Sequence, residues 1–570
     1  MYHSPQMSLF INTLVNLWRL MRNARARLLG RPPDFVWIEV SGQLQEFETP
    51  VGFLRRRLAP GPSPATLERL RARLDRISAD GRPRGVILRI KNLDAGWAAI
   101  EALRGEILAF RERGKRVVAY LADPVDTRSY YLACAADEVL ATPLAGLNVT
   151  GLRARVDFLK DALNNFGLEV EVVTVSPYKS AGERFVRDDF SDESREQVER
   201  LLDRRYEEVV RAISESRHIS AEEVRTRIDL APYGARVALS EGLLDGALYE
   251  DELPARLGSE NRRARLAEWD PTSKALRVPY RMRSRKKVAL VSLTGAIVRG
   301  RSRKLPVPVP LVGAEQAGSE SVVAALRVAE KSRGISAVLF HVDSPGGDAL
   351  ASDLIWREVE RIGANKPVVV LMGNAAASGG YYVSAPASHV VARRGTVTGS
   401  IGVLVIRPVA RGLYEKLGIN PVGLEKGARA GLLDPSRRPD DEELRVIEGQ
   451  IQHIYDEFKD RVIRGRGIDA VALEGIAGGR VWTGTEALEL GLVDEIGGFR
   501  EALRKARELG GIERDVPEVL VKVNPPRGGR PSPGEPAQAV VEVVGEAWEA
   551  LSELRGGETK LLAPYEIRED

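Results

Sequence analysis

Two stretches, "VVAYLADPVDTRSYYLACAADEVLATP" at 117–143 and "VVVLMGNAAASGGYYVSAPASHVVARR" at 368–394, align without a gap. The offset of 251 (368 − 117) pairs Tyr130-Tyr131 with Tyr381-Tyr382 and goes on to pair Gly151 with Gly402 and Gly167 with Gly418. Upstream, "GVILRIKN" matches "AVLFHVDS" and "VSGQL" matches "LTGAI", with offsets one or two larger. Downstream, "ALSEGLLD" (238–245) matches "ALELGLVD" (487–494). One long repeat of this kind gives two homologous domains, whereas solenoids repeat every 20 to 50 residues or so.

Each copy has the same grammar. A short apolar strand is followed by a helical stretch (Ser63 to Ile77; Ser319 to Lys331), a strand ("VILRI"; "AVLFHV"), a helix, another strand ("VVAYL"; "VVVLM") and a further helix. Strands alternating with helices of this length predict βαβ units and a mainly parallel α/β sheet, with ligands beyond the carboxyl ends of the strands. Longer, charge-rich helices are expected at Ser191 to Arg217 and Asp440 to Arg464. The expected boundaries are a first repeat at 35–260, a linker at 261–284 and a second repeat at 285–510. At 511–570 we expect a strand, the Pro/Gly linker "NPPRGGRPSPGEP" (524–536) and an amphipathic helix from about Ala537 to Leu554.

Composition narrows the class of function. The chain has 570 residues, 44% of them apolar, which suits two or three folded units. Lys+Arg of 84 against Asp+Glu of 80 leaves +4 with no long basic block, and aromatics are 6%, so no nucleic-acid surface is indicated. A single cysteine, Cys134, excludes an intrachain disulfide and reads as a small core residue. The five histidines show no metal-binding spacing, so neither a metal nor another cofactor is expected. The N-terminal 1–34 has an apolar run, Leu9 to Met21, shorter than the ~20 residues of a spanning helix. Phe10, Leu14, Leu17 and Met21 share one helical face, and Arg22, Arg25, Arg27 and Arg31 follow. That pattern predicts an amphipathic membrane anchor, with docking onto the protein itself or a neighbouring subunit as the other reading.

Comparing the two copies isolates the chemistry. Ser378 faces Thr127, Gly379 faces Arg128 and Gly380 faces Ser129, so the first copy lacks the serine and its small neighbours. The turn "DSPGGD" (343–348) faces "KNLDAG", so Gly346 and Gly347 exist only in the second copy. Glycine amides after a strand, with the N–H of Gly379 at a helix start, form a candidate oxyanion hole around a candidate nucleophile. A serine needs a base within hydrogen-bond reach. His341 and Asp343 share a strand face, but His341 lies back from the strand's carboxyl end. The other route is a lysine, and "VVTVSPYKSAGERF" places Lys179 after an apolar strand and a proline turn, where the offset gives Ala430 in "EKGARAGLL". Serine survives in one copy and lysine in the other, as expected of a composite site. To act as a base, the lysine must fall from ~10.4 to around ~7, on the order of 4 to 5 kcal/mol that burial can supply.

The segments "VDSPGG", "NAAASGGYY", "GTVTGSIGV", "YKSAGERF" and "ALELGLVD" resemble the signal peptide peptidase A (protease IV) family in its long, tandem-repeat form, over Phe35 to Leu509. The resemblance implies two Clp-protease-like (crotonase-like) domains and a serine endopeptidase that degrades released signal peptides and other unfolded apolar peptides. It implies a homo-oligomer, with a tetramer suggested, at the bacterial inner membrane, with the catalytic body on the extracytoplasmic side. Carried over by motif, Ser378 is the nucleophile, Lys179 the general base and Ser400 the residue that orients the lysine amine, with Gly347, Gly379 and Gly346 as oxyanion donors. A non-proteolytic crotonase-fold acyl-transfer enzyme and a pseudoprotease scaffolding a membrane complex are the alternatives.

Overall fold

The protein is described here from a computed structural model covering residues 5–28, 32–48, 65–278, 286–309, 313–513, 520–524 and 559–562. The strands Arg116–Leu121 and Val368–Ala377 form where the sequence runs apolar for five residues, "VVAYL" and "VVVLM". Val368 to Met372 are all fully buried, as expected of a parallel strand covered on both faces.

The chain divides into two compact units. The first comprises 1–152, 203–284 and 516–518, and the second 153–202, 285–515 and 519–570. The segment 153–202, which the repeat alignment assigns to the first copy, therefore packs as part of the second unit, and the boundary falls inside the long helix Asp192–Arg217.

The first unit holds a six-stranded parallel sheet in the order Leu266–Glu268, Phe35–Gln43, Gly85–Asp94, Arg116–Leu121, Glu138–Ala141, Gly246–Ala247. Part of 261–284, expected as a linker, is thus the edge strand of this sheet, followed by the helix Trp269–Ala275. The second unit repeats the arrangement: Leu520–Lys522 pairs in parallel with Lys287–Thr294, which pairs with Ile335–Ser344 and then with Val368–Ala377. The last strand forks. Its first half pairs with His389–Ala392 and its second half with Val397–Gly399, which opens the sheet at the strand's carboxyl end.

A further seven-stranded sheet in the second unit runs Arg303–Val309, Gly313–Gly318, Ala296–Val298, Gly346–Asp348, Thr559–Leu562, Leu404–Val409, Glu169–Thr174. Thr559–Leu562 lies antiparallel between two strands, with Gly347 opposite Leu561 and Leu404 opposite Lys560.

The paired tyrosines of the repeat have the same task in each copy. Tyr130 donates to the carbonyl of Leu243 at 2.6 Å and Tyr381 to that of Leu492 at 2.9 Å, tying the "YY" helix to the "GLLD" or "GLVD" turn. A buried hydroxyl needs such a partner, which links the two motifs.

The charge-rich helices form at Asp192–Arg217 and Asp441–Arg466. Asp440 caps the second in a capping box with Glu443. At the N-terminus, Pro5–Leu28 is helical. Its far end docks in the first unit through buried Ala26, with Arg22 donating to the Ser273 carbonyl and Asn23 bonding the Val278 backbone. Leu14, Leu17, Trp18 and Met21 stay about half exposed. No described helix is long and apolar enough to cross a membrane. Apart from Asn524, the expected C-terminal linker (524–536) and helix (about 537–554) lie outside the described residues.

Candidate active site

Ser378 sits where the strand Val368–Ala377 turns into the short helix Gly379–Ser384. Its backbone is left-handed in φ (54°, with ψ −117°), a conformation that costs a non-glycine residue about 1–3 kcal/mol and must be held by its surroundings. The holding bonds are Ser378 N–H to the Gly399 carbonyl and Tyr382 N–H to the Ser378 carbonyl, both 2.8 Å. In the first copy the equivalent helix starts from Asp126, an ordinary N-cap with φ −87° whose carboxylate accepts from Ser129 N–H. At this turn the strain belongs only to the copy that has the serine.

The two glycines after Ser378 are required by close packing. A Cβ on Gly380 would lie 2.7 Å from the Ser344 carbonyl oxygen, and one on Gly379 would lie 3.2 Å from the Gly347 nitrogen. The Cα of Gly379 therefore packs against the backbone of the Gly346-Gly347 turn. Gly346 N–H donates to Ser344 Oγ at 3.1 Å, within its own turn.

Lys179 follows the strand Glu169–Thr174, which pairs antiparallel with Leu404–Val409, and the Ser176-Pro177-Tyr178 turn. Its side chain is buried, and its Nζ lies 2.7 Å from Ser378 Oγ, 2.9 Å from Ser400 Oγ and 2.9 Å from the Ser400 carbonyl oxygen. Burial holds its pKa well below the ordinary lysine value. A neutral amine has two N–H groups and one lone pair. Donating to the Ser400 carbonyl and Ser400 Oγ leaves the lone pair for the Ser378 hydroxyl, so three contacts fill its valence. Ser400 is also left-handed, with φ 51°, and its N–H donates to the Arg480 carbonyl at 2.7 Å.

His341 is buried in the strand Ile335–Ser344, between Ser292 and Leu371 of the neighbouring strands. The Asp343 carboxylate accepts from Ala375 N–H at 3.1 Å and Asn374 Nδ2 at 3.3 Å. Cys134 is a buried thiol whose pKa burial pushes up.

One element escaped the sequence reading. Gly478 and Gly479 form a turn with positive φ against the lysine, where a Cβ on Gly479 would lie 2.6–2.8 Å from Lys179 N, Cα and Cβ. Gly478 is held on both sides: Ser176 Oγ donates to its carbonyl, and its N–H donates to Tyr455 Oη at 3.0 Å. The available signal was a Gly-Gly pair directly before an apolar strand, in "AGGRV".

Duplicated parallel sheets and a strained serine against a buried lysine place the chain among the Clp-protease-like α/β proteins. The family model for peptidase family S49 matches twice, at residues 109–262 and 360–513, one match per copy. The chain is 34% identical over 464 residues to "Serine protease SPPA, chloroplastic" of Arabidopsis thaliana, covering 79% of this chain and 67% of that protein. It is 31% identical over 458 residues to "Protease 4" of Haemophilus influenzae, covering 77% and 72%. A third relative, the "Putative signal peptide peptidase SppA" of Enterococcus faecium, is 35% identical over 222 residues, 39% of this chain and 62% of the relative. The chain belongs to peptidase family S49.

Proposed function

We propose that the protein is a serine endopeptidase working through a Ser378–Lys179 dyad, and that its substrates are released signal peptides and other extended apolar peptides at a bacterial inner membrane. The observation that carries this reading is the 2.7 Å approach of Lys179 Nζ to Ser378 Oγ in a buried setting without an ion pair among the described residues. In the mechanism, neutral Lys179 accepts the Ser378 proton as Oγ attacks the peptide carbonyl. The amides of Gly347 and Gly379 stabilise the tetrahedral oxyanion, and Gly346 shapes the turn that presents them. The lysinium, hydrogen-bonded to both Ser400 oxygens, then protonates the leaving amine. Water repeats the sequence to release the acyl group.

A peptide substrate suits the slot between Gly346–Asp348 and Leu404–Val409, because an extended segment already pairs there on both edges in Thr559–Leu562. The signal-peptide substrate is supported by the name of the Enterococcus faecium relative. Membrane attachment is supported at its N-terminus by the exposed Leu14, Leu17, Trp18 and Met21; the extracytoplasmic side of the catalytic body is taken from the family resemblance alone.

Self-association is part of the same reading. The strand Glu169–Thr174 has a repeat counterpart at 420–425, which has no regular structure and exposes Val422 and Leu424 at 88% and 100%. A segment that forms a strand in one copy and lies bare in the other suits an edge supplied by a second molecule.

The deciding experiment is peptide cleavage, with Ser378 labelling by a fluorophosphonate, in wild type, Ser378→Ala and Lys179→Ala. Loss of cleavage in both variants with folding intact supports the dyad, and near-normal turnover by Lys179→Ala overturns it. A non-proteolytic acyl-transfer enzyme would need neither residue and would resist the label.

A further inference from the structure

We propose that Gln197 is a positioning residue for catalysis: its carboxamide bridges the segment carrying Lys179 to the strand that holds Ser400, and so fixes the lysine amine against both serines. The proposal rests on the dyad reading above and concerns a residue that never touches substrate.

Gln197 lies in the first turns of the helix Asp192–Arg217 and is fully buried, unusual for an uncharged polar side chain of this length. Its Nε2 donates to the Tyr178 carbonyl at 3.1 Å, one residue before Lys179. Its Oε1 accepts from Val481 N–H at 2.9 Å. The peptide before that N–H belongs to Arg480, whose carbonyl accepts from Ser400 N–H at 2.7 Å. Hydrogen bonds therefore run from the lysine segment through Gln197 and Arg480 to Ser400, and Ser400 closes the loop by binding the lysine amine through two oxygens.

The residue type fits this place. A carboxamide at the end of two methylenes donates to a carbonyl through its nitrogen and accepts from an amide through its oxygen at once. One helical turn on, Arg200 donates to the Val481 carbonyl at 2.5 Å and stacks on Trp482, so the helix grips both polar groups of the same edge-strand residue. That strand, Val481–Thr483, pairs on its other side with Val397–Gly399, directly before Ser400. Lys179 thus reaches its place from a segment that crosses from the first sequence repeat, and the bridge adds to the pairing of Glu169–Thr174 with Leu404–Val409 and to the Ser176–Gly478 bond in registering that segment on the second.

The charged groups around the bridge are few. Glu196 and Arg480 pair at 3.4 Å and flank the Tyr178 ring, and Arg200 pairs with Glu486 at 3.0 Å. Both pairs are internally neutral, so the bridge acts through geometry.

The test uses the full chain with Gln197→Leu, which removes both bonds, and Gln197→Glu, which keeps the Val481 bond and has no proton for the Tyr178 carbonyl at neutral pH. The readouts are kcat and KM on a peptide, and the pH dependence of Ser378 acylation by a fluorophosphonate, normalised to the titrated active fraction. Loosening the lysine segment admits water to the amine and returns its pKa toward the ordinary value. Each unit of that rise lowers the neutral fraction roughly tenfold below the midpoint. Both variants are therefore expected to lose about tenfold or more in kcat, keep KM within about twofold, shift the acylation midpoint upward and recover rate at high pH. A lower melting temperature with kcat and midpoint unchanged in the active fraction would overturn the proposal. So would a loss confined to KM. Lys179→Ala is run alongside: if it retains turnover, the dyad itself fails. If it is inactive while Gln197→Leu is normal, only the positioning role fails.

Discussion

The Lys179 amine lies 2.7 Å from Ser378 Oγ although the two residues stem from different copies of the internal repeat. They meet because 153–202 packs in the same compact unit as 285–515. A site divided in this way explains why each copy could lose one member. The serine's place in the first copy is filled by Thr127, whose hydroxyl donates to the Gly151 carbonyl at 2.9 Å. The lysine's place in the second copy falls at Ala430, in an exposed turn.

The first prediction concerns protons. A buried lysine with a depressed pKa penalises folding wherever the unfolded chain would carry the proton. That penalty is complete below the folded pKa, shrinks as pH rises through the gap, and vanishes above the ordinary value of 10.5. The stability of wild type relative to Lys179→Met should therefore increase with pH across this window, whatever constant offset the lost hydrogen bonds add. Chemical denaturation at pH 6, 8 and 10 checks it, and an opposite slope would show that the lysine is held charged. On the same grounds kcat/KM should rise with pH and level off well below 10.5.

Ser400 gives the second. Removing its hydroxyl in Ser400→Ala leaves the Ser400 carbonyl as the amine's remaining partner on that side and frees one N–H in a dry site. An orphaned buried donor costs about 1–3 kcal/mol. If most of that falls on the transition state, kcat drops by roughly ten- to a hundredfold with KM little changed. Steady-state kinetics decides; a change in KM alone would mean that Ser400 binds substrate and does not orient the lysine.

The third uses the strand Thr559–Leu562. If substrates occupy the slot between Gly346–Asp348 and Leu404–Val409, this segment competes with them as a tethered ligand. Deleting residues 525–570 should then lower KM for an extended apolar peptide by roughly two- to tenfold and leave kcat unchanged. An unchanged KM would place the substrate elsewhere.

Much of this was legible in the sequence because the chain carries its own comparison. Ser378 and Lys179 stood out against Thr127 and Ala430, Ser400 came only from the resemblance of "GTVTGSIGV" to the family, and the fold followed from alternating apolar runs and helices in both copies. The strand Leu266–Glu268 was hidden because three residues carry no readable alternation, so 261–284 looked like a linker. Gln197 was hidden for a different reason. In "SDESREQVER" it sits among charges and reads as one more solvated position, and only the packing of the helix against Val481 buries it. The same holds for Gly479, whose closeness to Lys179 is a contact across 300 residues (479 − 179).

The fourth prediction follows from Val422 and Leu424. Their repeat counterparts, Glu171 and Val173, lie in a strand bonded to Leu404–Val409, with Val173 packed against the core of the second unit. Side chains as apolar as Val422 and Leu424 gain about 1.5–3 kcal/mol each on full burial, so a partner edge is strongly favoured over solvent. Leu424→Asp places a charge where that burial would occur, and together with Val422→Asp it should reduce the mass measured by light scattering at micromolar concentration. Because both residues are exposed within the single chain, its folding should be unaffected, and thermal melting of the isolated species separates the two effects. If the wild type is itself monomeric at these concentrations, or if the doubly substituted protein keeps the wild-type mass, the segment 420–425 is not an interface between copies.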